Sequence, residues 1–192
     1  MGTTLVTARS SHRILRYGQW TPRPRVEGVS WHDLLYVNSD LHSPCFSNDR
    51  LEDCWVHTHG NQISFRQRGY RRFIQYLSWV FLGAAPHEVR KDPAGYYGQP
   101  FVEHIGSVVY ATVIGPTAAT KLLQDYMTHR EHFLSCVRNA TLNPMDWDSF
   151  AGSEDNIVKD LMDSYDNWIR AFAVASETGI VYTQYKSVKS LP

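Results

Sequence analysis

Arg68, Arg71, Arg72 and Gln75 fall close together with Gln67 beside them, and from Asn61 to Gly83 the chain has no aspartate or glutamate. On a helical period these side chains occupy one polar sector about two turns long. Guanidinium forks and amide groups suit the oxygens of a phosphate backbone and carry no base-specific chemistry. The same residues also fit a plain solvated basic face. A second cation, Arg130, projects into an otherwise apolar helical arc, where a guanidinium needs an anion. A carboxylate of the same chain, an exit to water along its alkyl stem, or a phosphate would each meet that need, and spacing leaves all three open. His57 and His59 make half of a metal pair, but no second pair and no His-Glu-x-x-His helix accompany them, so an exposed loop pair is expected and neither metal nor cofactor.

The elements that must position these residues follow from hydrophobic period. Val113 to Val137 is the organising stretch: a strand end, a stop at Gly115-Pro116, and one long amphipathic helix begun by proline in its first turn. Ala119, Leu122, Leu123, Tyr126, Met127, Phe133, Leu134 and Val137 share its apolar face. Lys121, Gln124, Asp125, Thr128 and His132 lie opposite. A cationic helix is expected from Asn61, with Ile63, Tyr70, Phe73, Ile74, Leu77 and Phe81 as its stripe and Gly83 as its end. The last helix starts after Ser153 and buries Ile157, Val158, Leu161, Met162, Tyr165, Trp168, Ile169 and Phe172.

Shorter elements complete the pattern. Val26 to Val37 holds a short helical segment with Trp31, Leu34 and Leu35 on its core side, and Asn38 to Trp55 is a loop rich in Ser, Asn, Asp and Pro. Ala84 to Gln99 is a long connection, Val108 to Ile114 a strand, and Ile180 to Tyr185 a closing strand. Two long helices, one cationic helix and one short helix with small strands at one end make a mainly α bundle.

At 192 residues the chain can bury a real core in one domain, divided as a basic arm over 1–25, a folded domain over 26–185 and a tail over 186–192. Net charge is zero, so global electrostatics name no partner. The distribution is uneven: residues 1–25 carry arginines and no acid, and Asp146 to Asp166 is strongly acidic. Three cysteines, Cys45, Cys54 and Cys136, stand at unrelated spacings, which points to free thiols in a reducing compartment. The start lacks an apolar secretory core and no run approaches a membrane span, so no membrane partner is expected. Residues 1–20 read as a transit-like segment, a flexible arm or a surface strand.

In sequence order the chain resembles the coat proteins of rod-shaped plant RNA viruses, the tobacco mosaic virus type. Ser30-Trp31-His32-Asp33-Leu34-Leu35 is similar to that family's opening helix, and Gly60-Asn61-Gln62 to the turn into its second. Val113-Ile114-Gly115-Pro116 with Thr120, Leu122-Leu123, Tyr126, Thr128 and Arg130 resembles its third helix. Asn156-Ile157-Val158, Asp160-Leu161-Met162, Trp168, Arg170 and Gly179-Ile180-Val181-Tyr182-Thr183 follow its fourth helix and closing segment. The resemblance implies a four-helix bundle with a small distal β element. It implies subunits that polymerise into a helical rod around single-stranded genomic RNA, found in the virion and the host cytoplasm. It places RNA contacts at Gln67, Arg68, Arg71, Arg72, Thr128, Arg130, Asp146 and Asn156, and Gln75 of the polar sector and His129 of the Arg130 segment join them as RNA-binding candidates. His129 and Glu131 stand where the family usually has arginines, and the segment Arg138 to Asp146 lacks the family's acidic switch cluster.

Two other classes compete. Asp53-Cys54-Trp55 is similar to the opening of papain-like cysteine proteases, with His104 ahead of a strand as the partner base, although a catalytic Cys54 should begin a helix and His57 to Gln62 is poor helix sequence. A helical adaptor whose basic face meets a protein or a lipid headgroup is the third. The capsid reading, non-enzymatic and RNA-binding, covers the most residues.

Overall fold

The computed structural model describes residues 3–15, 25–37, 49, 54–107, 111–139 and 154–188, and within these are six α-helices and five strands. Strand β1 spans Thr3–Leu15. A 3-10 turn at Trp31–Asp33 leads into β2, Leu34–Val37, and β3 spans Cys54–Arg66. Helix α1 is Gln67–Leu82, α2 is Pro86–Lys91 and α3 is Val102–Gly106. After β4, Ala111–Ile114, come α4, Pro116–Thr128, and α5, Arg130–Arg138. Helix α6, Glu154–Ala175, and β5, Ile180–Val188, close the described chain.

All strand pairs are antiparallel, in the order β2-β3-β1-β5-β4. Residues 3–15, whose sequence fits an arm or a surface strand, therefore form the middle of the sheet. The ladder between β1 and β3 slips at Ser11, where the Ser11 hydroxyl donates to Arg13 O (3.0 Å) and accepts from Arg13 N (3.2 Å). The side chain thus supplies the hydrogen bonds that the irregular ladder withholds.

Adjacent strand residues point to opposite faces, and the two faces bury different clusters. Ala8, Ile114 and Val181 belong to the main core with the helices, and Ile63 packs against it. Ile180 and Val113 join Val37, Cys54 and Val56 in a second cluster on the other face.

Helical content is as the periodicity suggests, and the β element is larger. The apolar stripe of α6 holds: Ile157, Leu161, Tyr165, Trp168 and Phe172 are buried, with Val158, Met162 and Ile169 partly so. That of α1 holds from Tyr70 to Leu77, and Gly83 ends the helix at φ +61°.

Four expectations are corrected. Residues 34–37 are a strand and not part of a helix, because Leu-Leu-Tyr-Val pairs along its length with Cys54–His57. Trp31 is then left 59% exposed on the 3-10 turn and not in the core. Residues 54–66 are a strand against β1, so the cationic helix begins at Gln67 and not at Asn61, and Trp55 closes no loop. The long organising helix divides at His129 (φ −101°, ψ 8°), whose ring packs on Phe81 and Phe101, and Met127 is 65% exposed.

Helix α4 has a glycine at its N-cap position, and a distant side chain does the capping. The Asp49 carboxylate accepts from Thr117 N and Ala118 N, each at 3.1 Å. A Cβ on Gly115 would lie 2.5 Å from Asp49 Oδ2, so the close approach requires glycine.

The centre of the helical core is a buried histidine. His104 Nδ1 meets Tyr126 Oη at 2.8 Å and Nε2 meets Tyr70 Oη at 3.4 Å, while Trp168 and Phe172 pack against its ring. Tyr165 Oη donates to Tyr126 O at 2.8 Å. Burial pushes the His104 pKa down to about 3.

A depressed folded-state pKa means that the unfolded chain binds the proton first. The stability this site contributes is complete above pH 6.5 and is lost as pH falls toward about 3. By pH 5, before most carboxylates titrate, the loss should be about 2 kcal/mol. Urea unfolding at pH 7 and pH 5 should show that loss in the natural chain and a smaller one in His104→Gln. Asp49→Ala should lower stability at pH 7 by about 0.5–2 kcal/mol in the same assay.

Candidate nucleic-acid interface

Helix α1 is amphipathic along its length. Its stripe from Tyr70 to Leu77 turns inward and leaves Gly69, Arg71 and Gln75 exposed. Arg71 and Gln75 lie one turn apart on the same face. Arg72 is half-buried at the edge of this sector. Gln67 and Arg68 belong to the first helical turn by their backbone, and their side chains lie outside the described residues. The first turn of α1 has no acidic residue, so exposed Arg71 sits near the positive end of the helix without an acid of that turn to offset it.

Arg130 opens α5 and its anion is internal. Its Nε and Nη2 donate to the two oxygens of Asp166 on α6 at 3.0 and 3.1 Å, and Nη1 donates to Glu131 Oε1 at 3.2 Å. This is a bidentate fork of the kind guanidinium makes best. The Asp166 bonds push the pKa of Arg130 further up. Of the three partners open to Arg130 from its position on the arc, the carboxylate is the one the fold supplies. Thr128 is exposed beside it, and His129 is half-buried against Phe81 and Phe101.

These groups do not converge on one point. Helices α1 and α5 run antiparallel, with Phe73 and Tyr76 against Phe133 and Phe81 against His129 and His132. Arg130 is therefore level with the end of α1, about 15 Å along the axis from Arg71 at 1.5 Å per residue. Asn156 is exposed in the first turn of α6, also about 15 Å along its axis from Asp166. Asp146 lies outside the described residues.

The alternative cysteine and histidine are not brought together either. Cys54 is buried in β3, in the cluster on the sheet face away from the main core, and it begins a strand. His104 is in the main core, with both ring nitrogens engaged by tyrosines. His57 is paired into β3. Among the described residues no group of three or more His, Cys, Asp or Glu is placed to hold a metal ion, and no helix is long and apolar enough to cross a membrane.

A second polar cluster escaped the sequence reading. Lys121 Nζ donates to Glu103 Oε2 (2.7 Å), Asp125 Oδ2 (2.9 Å) and Gln99 O (3.1 Å), and Phe101 N donates to the same Asp125 oxygen (2.9 Å). Burial raises the Glu103 pKa and Lys121 opposes the rise. The cluster clamps α3 to α4 and holds Phe101 at φ +62°, a costly conformation for a bulky residue. Only the i, i+4 pair Lys121 and Asp125 was visible as spacing.

Compared with known protein families, with curated proteins and with solved structures, the chain matches none. Of the stretches that carry the resemblance to rod-shaped virus coat proteins, Ser30–Leu35 is a 3-10 turn and strand where it implies an opening helix, and Gly60–Gln62 lies inside β3 where it implies a turn.

The Arg130 fork is half open to water, which caps its worth. A double-mutant cycle of Arg130→Ala and Asp166→Ala, read by chemical denaturation, should give a coupling below about 1 kcal/mol that shrinks in high salt.

Proposed function

We propose that this chain is a structural coat subunit that binds single-stranded RNA through its phosphate backbone and polymerises with identical copies into a helical rod. The observation that carries the reading is the outer sector of α1, where Arg71 and Gln75 face solvent beside Arg72. A surface of guanidinium forks and amides releases counterions on meeting a polyanion, and binds with little regard for sequence. Because Arg130 is already met by Asp166, the RNA face in this reading is α1 itself, with Asn156 as a separate contact farther along the subunit.

Helices α1, α3, α4, α5 and α6 supply the helical core of the subunit, in place of four continuous helices of the coat-protein type. The sheet takes the part of the distal β element. Trp31, Tyr97 and Met127 are large apolar side chains left exposed, and they suit lateral contacts with neighbouring copies. Contacts between unlike patches that do not close a ring generate a helix. The virion and the host cytoplasm are where such a subunit acts.

Electron microscopy of the purified protein with RNA should show rods, discs or stacked rings, and uniform monomers in every buffer would refute polymerisation. Arg71→Glu should leave the fold intact by circular dichroism and weaken RNA binding. Each phosphate contact on a single strand contributes about 0.7 to the salt slope, so losing one should reduce it by about that amount. An unchanged slope would place the RNA on another face.

A further inference from the structure

One large apolar side chain stands in the polar sector of α1. At about 100° per residue, Arg71, Gln75 and Trp79 fall within roughly 80° of one another around the helix, in steps of about 6 Å along its axis. Arg71 and Gln75 are exposed and Trp79 is half-buried. Val80, Phe81 and Leu82, which follow it, pack against the main core, whereas Trp79 belongs to neither core cluster of the described residues. Packing of those cores therefore does not account for an indole at this position.

An indole beside a guanidinium and an amide on one helical face is the combination that suits single-stranded nucleic acid. The polar groups meet phosphate oxygens, and the flat ring meets an unpaired base. A duplex keeps its bases stacked on one another, so the ring adds to binding only where a base is free to leave the stack. From Asn61 to Gly83 the chain has no aspartate or glutamate, so the helix places no negative charge of its own beside the ring.

We infer that Trp79 is the base-stacking residue of the α1 face, holding one unpaired base while Arg71 and Gln75 meet the phosphates beside it. The face then selects single strands over duplexes. The inference rests on the RNA-binding reading above and adds to it the contact that tells one strand from two.

The probes are a short adenylate strand, alone and paired with its uridylate complement, with binding followed by fluorescence anisotropy across a salt series. The natural chain should bind the single strand more tightly than the duplex. Trp79→Leu keeps apolar bulk and removes the ring. It should weaken single-strand binding about five- to 150-fold with the salt slope unchanged, because stacking releases no counterions. Duplex binding should stay as it was, and Trp79→Phe should recover most of the loss, with circular dichroism unchanged in both variants. If Trp79→Leu does not fold, the natural chain decides: it should bind the adenylate strand at least about five-fold more tightly than an abasic strand of equal length. Equal affinity for those two strands, or single-strand affinity unchanged in folded Trp79→Leu, would overturn the inference and leave the RNA reading standing. Failure of the natural chain to bind any single strand would overturn both.

Discussion

One neutral imidazole ties the helical half of the molecule together. His104 stands on α3, its hydrogen-bond partners Tyr126 and Tyr70 on α4 and α1, and the rings packed against it on α6. Both nitrogens of a buried histidine must be engaged, since an orphaned polar atom in this environment costs more than a typical hydrogen bond returns. That requirement fixes four helices relative to one another at one point. A five-residue helix such as α3 has no stability of its own, so its position comes from this histidine and from the clamp of Lys121 with Glu103 and Asp125.

The same economy of polar groups decides which charges remain for the outside. Arg130 spends its fork on Asp166, Lys121 is shared by two carboxylates, and Asp49 is taken up by the first turn of α4. On α1 the inward residues are aromatic and aliphatic, and the outward residues include Arg71 and Gln75. Net neutrality of the chain hides a local imbalance, since no acidic residue lies between Asn61 and Gly83.

The sheet serves the helices by joining the two ends of the described chain. Strand β1 pairs with β5 on one side and with β3 on the other, so segments at residues 3–15 and 180–188 are locked beside each other. Its helix-facing side supplies Ala8, Val181 and Ile114 to the main core. Its other side gathers Val37, Cys54, Val56, Val113 and Ile180, which buries the thiol at position 54 and separates it from His104.

Local pattern was enough for α6, for most of α1, for the proline start of α4 and for the glycine stop at Gly83, because each depends on residues within a turn or two of one another. It also marked Ile180 onward as a strand. It could not determine β2 and β3: Leu34–Val37 and Cys54–Arg66 are strands because of partners distant in the chain, and an apolar run by itself fits either period. Nor could it choose among the anions open to Arg130, since Asp166 lies 36 residues away. The sequence alone established that a guanidinium on an apolar arc must find an anion or a way out to water. Tertiary structure decided which one, because only folding brings α5 and α6 within hydrogen-bonding distance.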